Sequence, residues 1–223
     1  MLSKLIISFF AVAMISTGAA AQEQTTPEAP TPAAVPTEEN LLYLDLSTGG
    51  RVTIQLYPAM APNHVERIKT LTRQGFYDGM IFHRVIDGFM AQTGDPTGTG
   101  MGGSELPDLK AEFHAYPHVR GVVSMARAEG EDSANSQFFI VFYPRFALDE
   151  NYTVFGRVTD GMEYVDAINR GEPPAIPSRI LQASIAADGK APPAPRSVAP
   201  VSETSSALEE KITVDDLNAP IEP

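Results

Sequence analysis

The sequence contains no cysteine. This excludes disulfides, thiolate metal sites, a cysteine nucleophile and a lipid-modified N-terminal cysteine. Basic residues are scarce: 16 lysines and arginines face 28 aspartates and glutamates, for a formal net charge of −12. A chain with no basic stripe has little with which to neutralise phosphates, so the composition argues against nucleic-acid partners and against an anionic membrane surface. Acidity of this kind reads first as solubility. Long apolar runs are missing too. The N-terminal stretch Leu5 to Ile15 is too short to span a bilayer comfortably, and it lies between Lys4 and Ala19-Ala20-Ala21. A positive start, a short apolar segment and small residues before Gln22 form the pattern of a secretory signal peptide over residues 1–21, with an uncleaved N-terminal anchor as the alternative. Made by a bacterium, the mature protein is expected to be periplasmic or secreted, with no stable membrane insertion after cleavage. A cysteine-free exported domain relies on its core alone. The 43% hydrophobic content of the 223 residues is enough for one.

Residues 22–39 are rich in Pro, Thr, Ala and Glu and read as an extended, flexible linker. Residues 188–223 repeat that character and read as a disordered Pro-rich, acidic tail that cannot bury enough apolar surface to offset the entropy of ordering it. Ile212-Thr213-Val214 is its one apolar cluster, a docking segment or an inert stretch. Between them, residues 40–187 form one domain. Leu42, Leu44 and Leu46 alternate with Tyr43, Asp45 and Ser47, and Val52, Ile54 and Leu56 follow a Thr48-Gly49-Gly50 turn, which predicts a hairpin. Pro62 suits the first turn of a helix that carries Val65, Ile68 and Leu71 and ends at Gly75. Further strands are expected over Met80–Val85, Phe89–Gln92, Val119–Met125, Gln137–Val141, Val154–Val158 and Arg179–Ala186, with a second helix over Met162–Asn169. Many short strands and few helices predict a mainly β fold with a closed or nearly closed antiparallel sheet. The pattern by itself leaves barrel and sandwich open.

The most informative stretch runs from Phe82 to Asp95, Phe-His-Arg-Val-Ile-Asp-Gly-Phe-Met-Ala-Gln-Thr-Gly-Asp. It places Arg84, Phe89, Met90 and Gln92 close together, and Ser136-Gln137-Phe138-Phe139-Ile140 adds an amide and aromatic surface. These are the parts needed to grip a proline ring and perturb its peptide bond. With Tyr152-Thr153-Val154-Phe155-Gly156 following in order, the domain resembles the cyclophilin family of peptidyl-prolyl cis-trans isomerases. The resemblance implies an eight-stranded antiparallel β-barrel capped by two α-helices, matching the strands and helices counted above. It implies that Arg84 is the donor to the prolyl nitrogen, since its guanidinium stays charged and presents a rigid fork of N–H groups. Gln92 is the second catalytic candidate, bonding the substrate backbone or orienting Arg84, with Gln137 in the same capacity. Phe89, Met90, Phe139 and Leu148 match pocket-lining positions; as neighbours on one strand, Phe89 and Met90 share a face only if the chain bends, which Gly88 could provide. Ala126 and Arg127 match a strand-edge pair that aligns an extended peptide, and Gly98 a glycine that admits the peptide's close approach. Two departures stand out. Tyr152 replaces the familiar histidine while keeping a ring with a polar tip. Ala147 stands where many members have tryptophan, and the chain has no tryptophan anywhere, so weak affinity for the macrocyclic inhibitor cyclosporin is expected.

Other signals are set aside. Gly98 to Gly103 fits G-x-G-x-x-G, but Asp95-Pro96 precedes it and Ser104-Glu105-Leu106-Pro107 follows, so the strand and helix of a dinucleotide site are missing. Pro117 separates His114 from His118 and breaks the helix that would align them on a metal. His64 and His83 read as satisfied structural or surface histidines. The expected activity is isomerisation of X–Pro bonds in unfolded or extended proline-containing polypeptides during folding of exported proteins. It needs neither cofactor nor metal, and a monomer suffices. The competing reading is a module that binds proline peptides without turning them over.

Overall fold

A computed structural model describes residues 37–194. The expected signal segment (1–21), residues 22–36 of the linker and the tail beyond Ala194 lie outside the described residues. Among the described residues are eight strands: β1 (Leu41–Leu46), β2 (Arg51–Leu56), β3 (Arg84–Ile86), β4 (Met90–Thr93), β5 (Val122–Met125), β6 (Phe138–Val141), β7 (Val154–Asp160) and β8 (Ile180–Ile185). Two α-helices accompany them among these residues, α1 (Pro62–Arg73) and α2 (Met162–Asp166). All pairings are antiparallel, in the order β3-β4-β6-β5-β7-β2-β1-β8. The sheet curls until its two edges approach: isolated bridges join Ile81 to Arg179 and Val85 to Gly171. The expected barrel-like architecture with two helices is thus present.

The alternation of side chains along each strand sorts the sheet into two faces. Leu42, Leu44, Val52, Ile54, Val85, Ala91, Val123, Phe138, Ile140 and Phe155 point inward and form the main core. Helix α1 adds Val65, Ile68 and Leu71 at helical spacing, and α2 adds Val165. The opposite face of β4, β5, β6 and β7 carries a second, smaller cluster of Met90, Val122, Phe139, Val141 and Val154. An outward apolar cluster on a curled sheet is the place to look for a ligand.

Several element bounds differ from those the pattern predicts. Met80–Val85 is not one strand: Met80 and Phe82 bond Ile180 and Ser178 across the closing edge, and ladder pairing with β4 starts only at Arg84. Phe89 is not in a strand but in the turn before β4. Helix α2 stops at Asp166 rather than Asn169, because the Arg170 guanidinium takes the Asp166 and Ile168 carbonyls and the Asn169 N–H donates to Ser178 Oγ. At the domain's ends the packing runs past residues 40–187: Arg73 bridges Glu39 and Asp188, and Gln182 Nε2 donates to the Ala191 carbonyl at 2.8 Å.

Candidate active site

Strand register builds the site. Arg84 pairs with Gln92, Gln92 with Phe139, and Phe139 with Ser124, so one row crosses β3, β4, β6 and β5. The next row is Ile86, Met90 and Val141. Both rows face outward, because Val85, Ala91 and Ile140 between them point into the core. Above the rows lies a groove of about 730 Å³ lined by Arg84, Phe89, Met90, Gln92, Gly98, Ala126, Arg127, Phe139, Leu148 and Tyr152. Its size is within the usual range of ligand clefts, about 300–1,000 Å³. The turn through Asp87 and Gly88 is the bend that sets Phe89 beside Met90 on this face.

The apolar floor is held from behind. The buried His118 ring stacks on Phe139 at 6.3 Å between centroids. His118 Nδ1 lies 2.8 Å from Asp149 Oδ1, which ties the segment carrying Leu148 to the sheet. Burial lowers the His118 pKa against the opposing pull of Asp149. Tyr152 meets Phe139 edge-on at 5.8 Å, and the Arg127 guanidinium lies 4.8 Å from the Tyr152 ring centroid. Arg127 also donates to the Asn151, Ala128 and Glu129 carbonyls, so its charge is folded onto the rim. On the other side, the Arg145 guanidinium covers Phe89 at 5.1 Å.

The two amides work as a relay rather than as partners of Arg84. Gln92 Nε2 donates to Gln137 Oε1 at 2.8 Å, and Gln137 Nε2 donates to the Gly100 and Gly102 carbonyls at 3.0 and 2.7 Å. Gln137, expected to bond the substrate or orient Arg84, is not among the residues lining the groove; its side chain is taken up by Gln92 and the glycine loop. It fixes Gln92 and anchors the glycine loop. Neither amide orients Arg84; Glu172 Oε2 accepts from Arg84 Nε at 2.8 Å instead.

The glycine loop has its own clamp. Asp95 accepts from the Thr97 N–H and Oγ1 through one oxygen and from the Gly100 N–H through the other, at 2.7, 2.8 and 2.6 Å. A Cβ on Gly98 would lie 2.8 Å from Ile81 Cδ1, and its φ of +68° disfavours any other residue. Glycine is thus demanded by the loop itself as well as by its place in the groove wall. Burial raises the Asp95 pKa, but the bonds from Thr97, Gly102 and Gly100 outweigh it and bring it down from 3.8 to about 2. A carboxylate depressed on folding stabilises the fold above its unfolded pKa and loses that contribution as pH falls through the folded value. Thermal unfolding should therefore show wild type losing stability between about pH 4 and pH 2, whereas Asp95→Asn should be weaker at pH 6 and flatter through that window. Parallel pH profiles for the two proteins would refute this clamp.

His83, Thr99, Gly100, Glu172 and Pro173 also line the groove, and none of them was singled out from the sequence as a contact. His83 is structural rather than surface, at 4% exposure, but it is not satisfied: among the described residues neither ring nitrogen meets hydrogen-bond geometry with a partner. Thr99 and Gly100 are neighbours of Gly98, and His83 of Arg84, so adjacency could have found them. His114 and His118 have separate partners, the Val154 carbonyl and Asp149. The G-x-G-x-x-G segment lies in irregular loop with no helix after it.

A sequence profile of the family described as cyclophilin type peptidyl-prolyl cis-trans isomerase/CLD matches residues 43–185. The chain is 48% identical over 168 residues to a probable peptidyl-prolyl cis-trans isomerase of Brucella suis, covering 68% of this chain and 85% of that one. It is 44% identical over 132 residues to peptidyl-prolyl cis-trans isomerase B of Bacillus subtilis, covering 58% and 91%. Among solved structures it is similar to the cyclophilin AquaCyp293 from Hirschia baltica, with a TM-score of 0.64, 30% identity and coverage of 70% and 77%. It is also similar to a cyclophilin-type isomerase of Cryptosporidium parvum determined in the presence of the dipeptide Ala-Pro, with a TM-score of 0.61, 28% identity and coverage of 65% and 98%.

Proposed function

We propose that this chain, which belongs to the cyclophilin-type peptidyl-prolyl cis-trans isomerase family, accelerates X–Pro isomerisation in extended or unfolded polypeptides outside the cytoplasm, with Arg84 as the group that acts on the bond. The barrier to rotation, about 18–20 kcal/mol, comes from delocalisation of the imide nitrogen lone pair into the carbonyl. No covalent bond need break to lower it. A donor that approaches the nitrogen competes for the lone pair, and it must do so more strongly in the twisted state than in either planar one. Arg84 is suited to this because its charge is permanent and its N–H groups are fixed in a plane.

The other groove residues then divide the work. Phe139, Met90 and Leu148, with Phe89 and Tyr152 at the margins, hold the pyrrolidine ring while the carbonyl side turns. Gln92, fixed by Gln137, offers an amide to the substrate backbone. The Ala126 N–H donates to the Gln137 carbonyl, which turns that residue's backbone groups toward β6, so Arg127, the next residue, offers its own N–H and carbonyl on the opposite edge to align an extended peptide. Gly98 and its loop form the opposite wall. Backbone pairing of this kind tolerates many sequences, as a folding catalyst requires. Positioning and electrostatics supply all of the catalysis, with no metal or cofactor and with a monomer as the working unit.

The observation that carries the reading is the placement of Arg84 on the same groove as Phe139, Met90 and Leu148. The Ala-Pro dipeptide used with the similar Cryptosporidium parvum protein fits the chemistry of such a groove. A protease-coupled assay on an Ala-Pro peptide tests it: catalysed isomerisation is expected, and binding without acceleration would leave a proline-binding module. Action on exported proteins rests on Lys4, the apolar stretch from Leu5 to Ile15 and the alanines before Gln22. Cell fractionation should find a shortened chain outside the cytoplasm; a full-length cytoplasmic protein would contradict export. Ala147, exposed in the short 3-10 turn that carries Leu148, offers only a methyl group where many family members carry an indole, so cyclosporin should inhibit weakly. Inhibition at low nanomolar concentration would show otherwise.

A further inference from the structure

The bond between Arg84 and Glu172 joins residues 88 positions apart, and the fold leaves it little freedom. Val85 and Gly171 form an antiparallel bridge in which each N–H donates to the other's carbonyl, at 2.8 and 2.9 Å. In such a pair the flanking residues stand opposite each other, so Glu172 is placed across from Arg84. Val85 points into the core at 1% exposure, which turns both flanking side chains out to the groove. Gly171 is fixed in kind: its φ is +144°, and a Cβ there would lie 2.5 Å from Pro174 Cα. The loop is tied on both sides of Glu172. Arg170 pairs with Asp87 and covers the Phe142 ring at 4.3 Å, and Asn169 Nδ2 donates to the Ile176 carbonyl at 2.8 Å.

We propose that Glu172 is a positioning residue: by accepting from Nε it sets the plane of the Arg84 guanidinium and turns the two terminal nitrogens toward the prolyl bond. This rests on the reading of Arg84 as the group that acts on that bond. The contact atom decides between positioning and competition. A carboxylate gripping the terminal nitrogens would occupy the donors that the substrate needs. One gripping Nε occupies the only donor on the stem side of the fork and leaves the rest for the groove. An arginine held by its aliphatic chain alone has several rotamers to lose in the twisted state, whereas one already held does not.

The test compares wild type with Glu172→Ala, Glu172→Gln, Arg84→Ala and the Arg84→Ala/Glu172→Ala double variant, separating kcat from KM on an Ala-Pro peptide. Glu172 is half-exposed on an independently tied loop, so its variants should fold, and thermal unfolding checks this. Glu172→Ala should lower kcat about 10-fold with little change in KM, because the pocket is intact and only the donor's placement is lost. Glu172→Gln keeps an acceptor oxygen and should recover most of that loss. In the Arg84→Ala background, Glu172→Ala should have no further effect. In NMR spectra the Arg84 Nε–H signal should be sharp in wild type and exchange-broadened in Glu172→Ala. A kcat within about twofold of wild type, a gain in kcat, a loss carried by KM, or an undiminished loss without Arg84 would each overturn the proposal. So would an unchanged Nε–H signal. Wild-type activity in Arg84→Ala alone would instead remove Arg84 from the mechanism, a separate failure.

Discussion

Arg84→Ala is expected to lower kcat/KM on an Ala-Pro peptide by about 100-fold or more, the scale on which enzymes lose rate when one transition-state donor is removed. The side chain is partly exposed and its partner Glu172 is too, so the loss should not come from unfolding. Val85 and Gly171 keep the backbone in place without it. Arg84→Lys should recover little. A lysine retains the charge but not the planar fork, and it cannot reach Glu172 through one nitrogen while presenting others at fixed angles. A lysine variant with near wild-type activity would mean that bulk positive charge at the groove, rather than a directed donor, is what counts.

The second large effect is on stability. Phe138 faces the core from β6, fully buried, with Tyr77 edge-on at 5.5 Å and Phe155 edge-on at 5.9 Å. Tyr77 in turn donates its hydroxyl to the Ser136 carbonyl at 3.0 Å, so the aromatic stack and the strand entry support each other. Phe138→Ala removes the middle ring and leaves a cavity that a curled sheet cannot collapse. The cost should be about 3–5 kcal/mol, a large share of the roughly 5–15 kcal/mol that stabilises a domain. Urea unfolding should show a lower midpoint at unchanged slope. A loss below about 1 kcal/mol would mean that the stack is dispensable and that the core is not organised around it. The neighbouring Phe139→Ala should differ in kind: its ring faces the groove, so substrate binding should suffer more than stability.

The contrast between Phe138 and Phe139 also shows what the sequence makes legible. Two adjacent phenylalanines on a strand must face opposite ways, and the family resemblance says which one meets the ligand. The same alternation, with the resemblance, places Arg84, Met90 and Gln92 on the outer face. What alternation does not reveal is which distant segment closes the sheet. The bridge between Val85 and Gly171 is a tertiary event, and Gly171-Glu172-Pro173-Pro174 reads locally as a plain turn. Glu172 carries no local signal for that reason, and of the two roles the sequence offers Gln92 and Gln137, bonding the substrate backbone or orienting Arg84, the second falls to Glu172. Strand ends escaped on similar grounds: Met80 to Phe82 has strand composition, but only the partner decides where the ladder begins. Adjacency to Arg84 hints that His83 meets the groove, but its unsatisfied ring nitrogens carry no sequence signal, because they depend on what the loop at Gly100 brings near them.

Exchange NMR on an Ala-Pro peptide at saturating enzyme tests the central claim most directly, because it reads interconversion of the bound peptide apart from its affinity. Wild type should interconvert bound cis and trans forms rapidly. Arg84→Ala should bind the peptide with similar affinity through Phe139, Met90 and Leu148, yet interconvert it about 100-fold more slowly. Equally fast interconversion on Arg84→Ala would show that the pocket alone lowers the barrier and that the guanidinium takes no part.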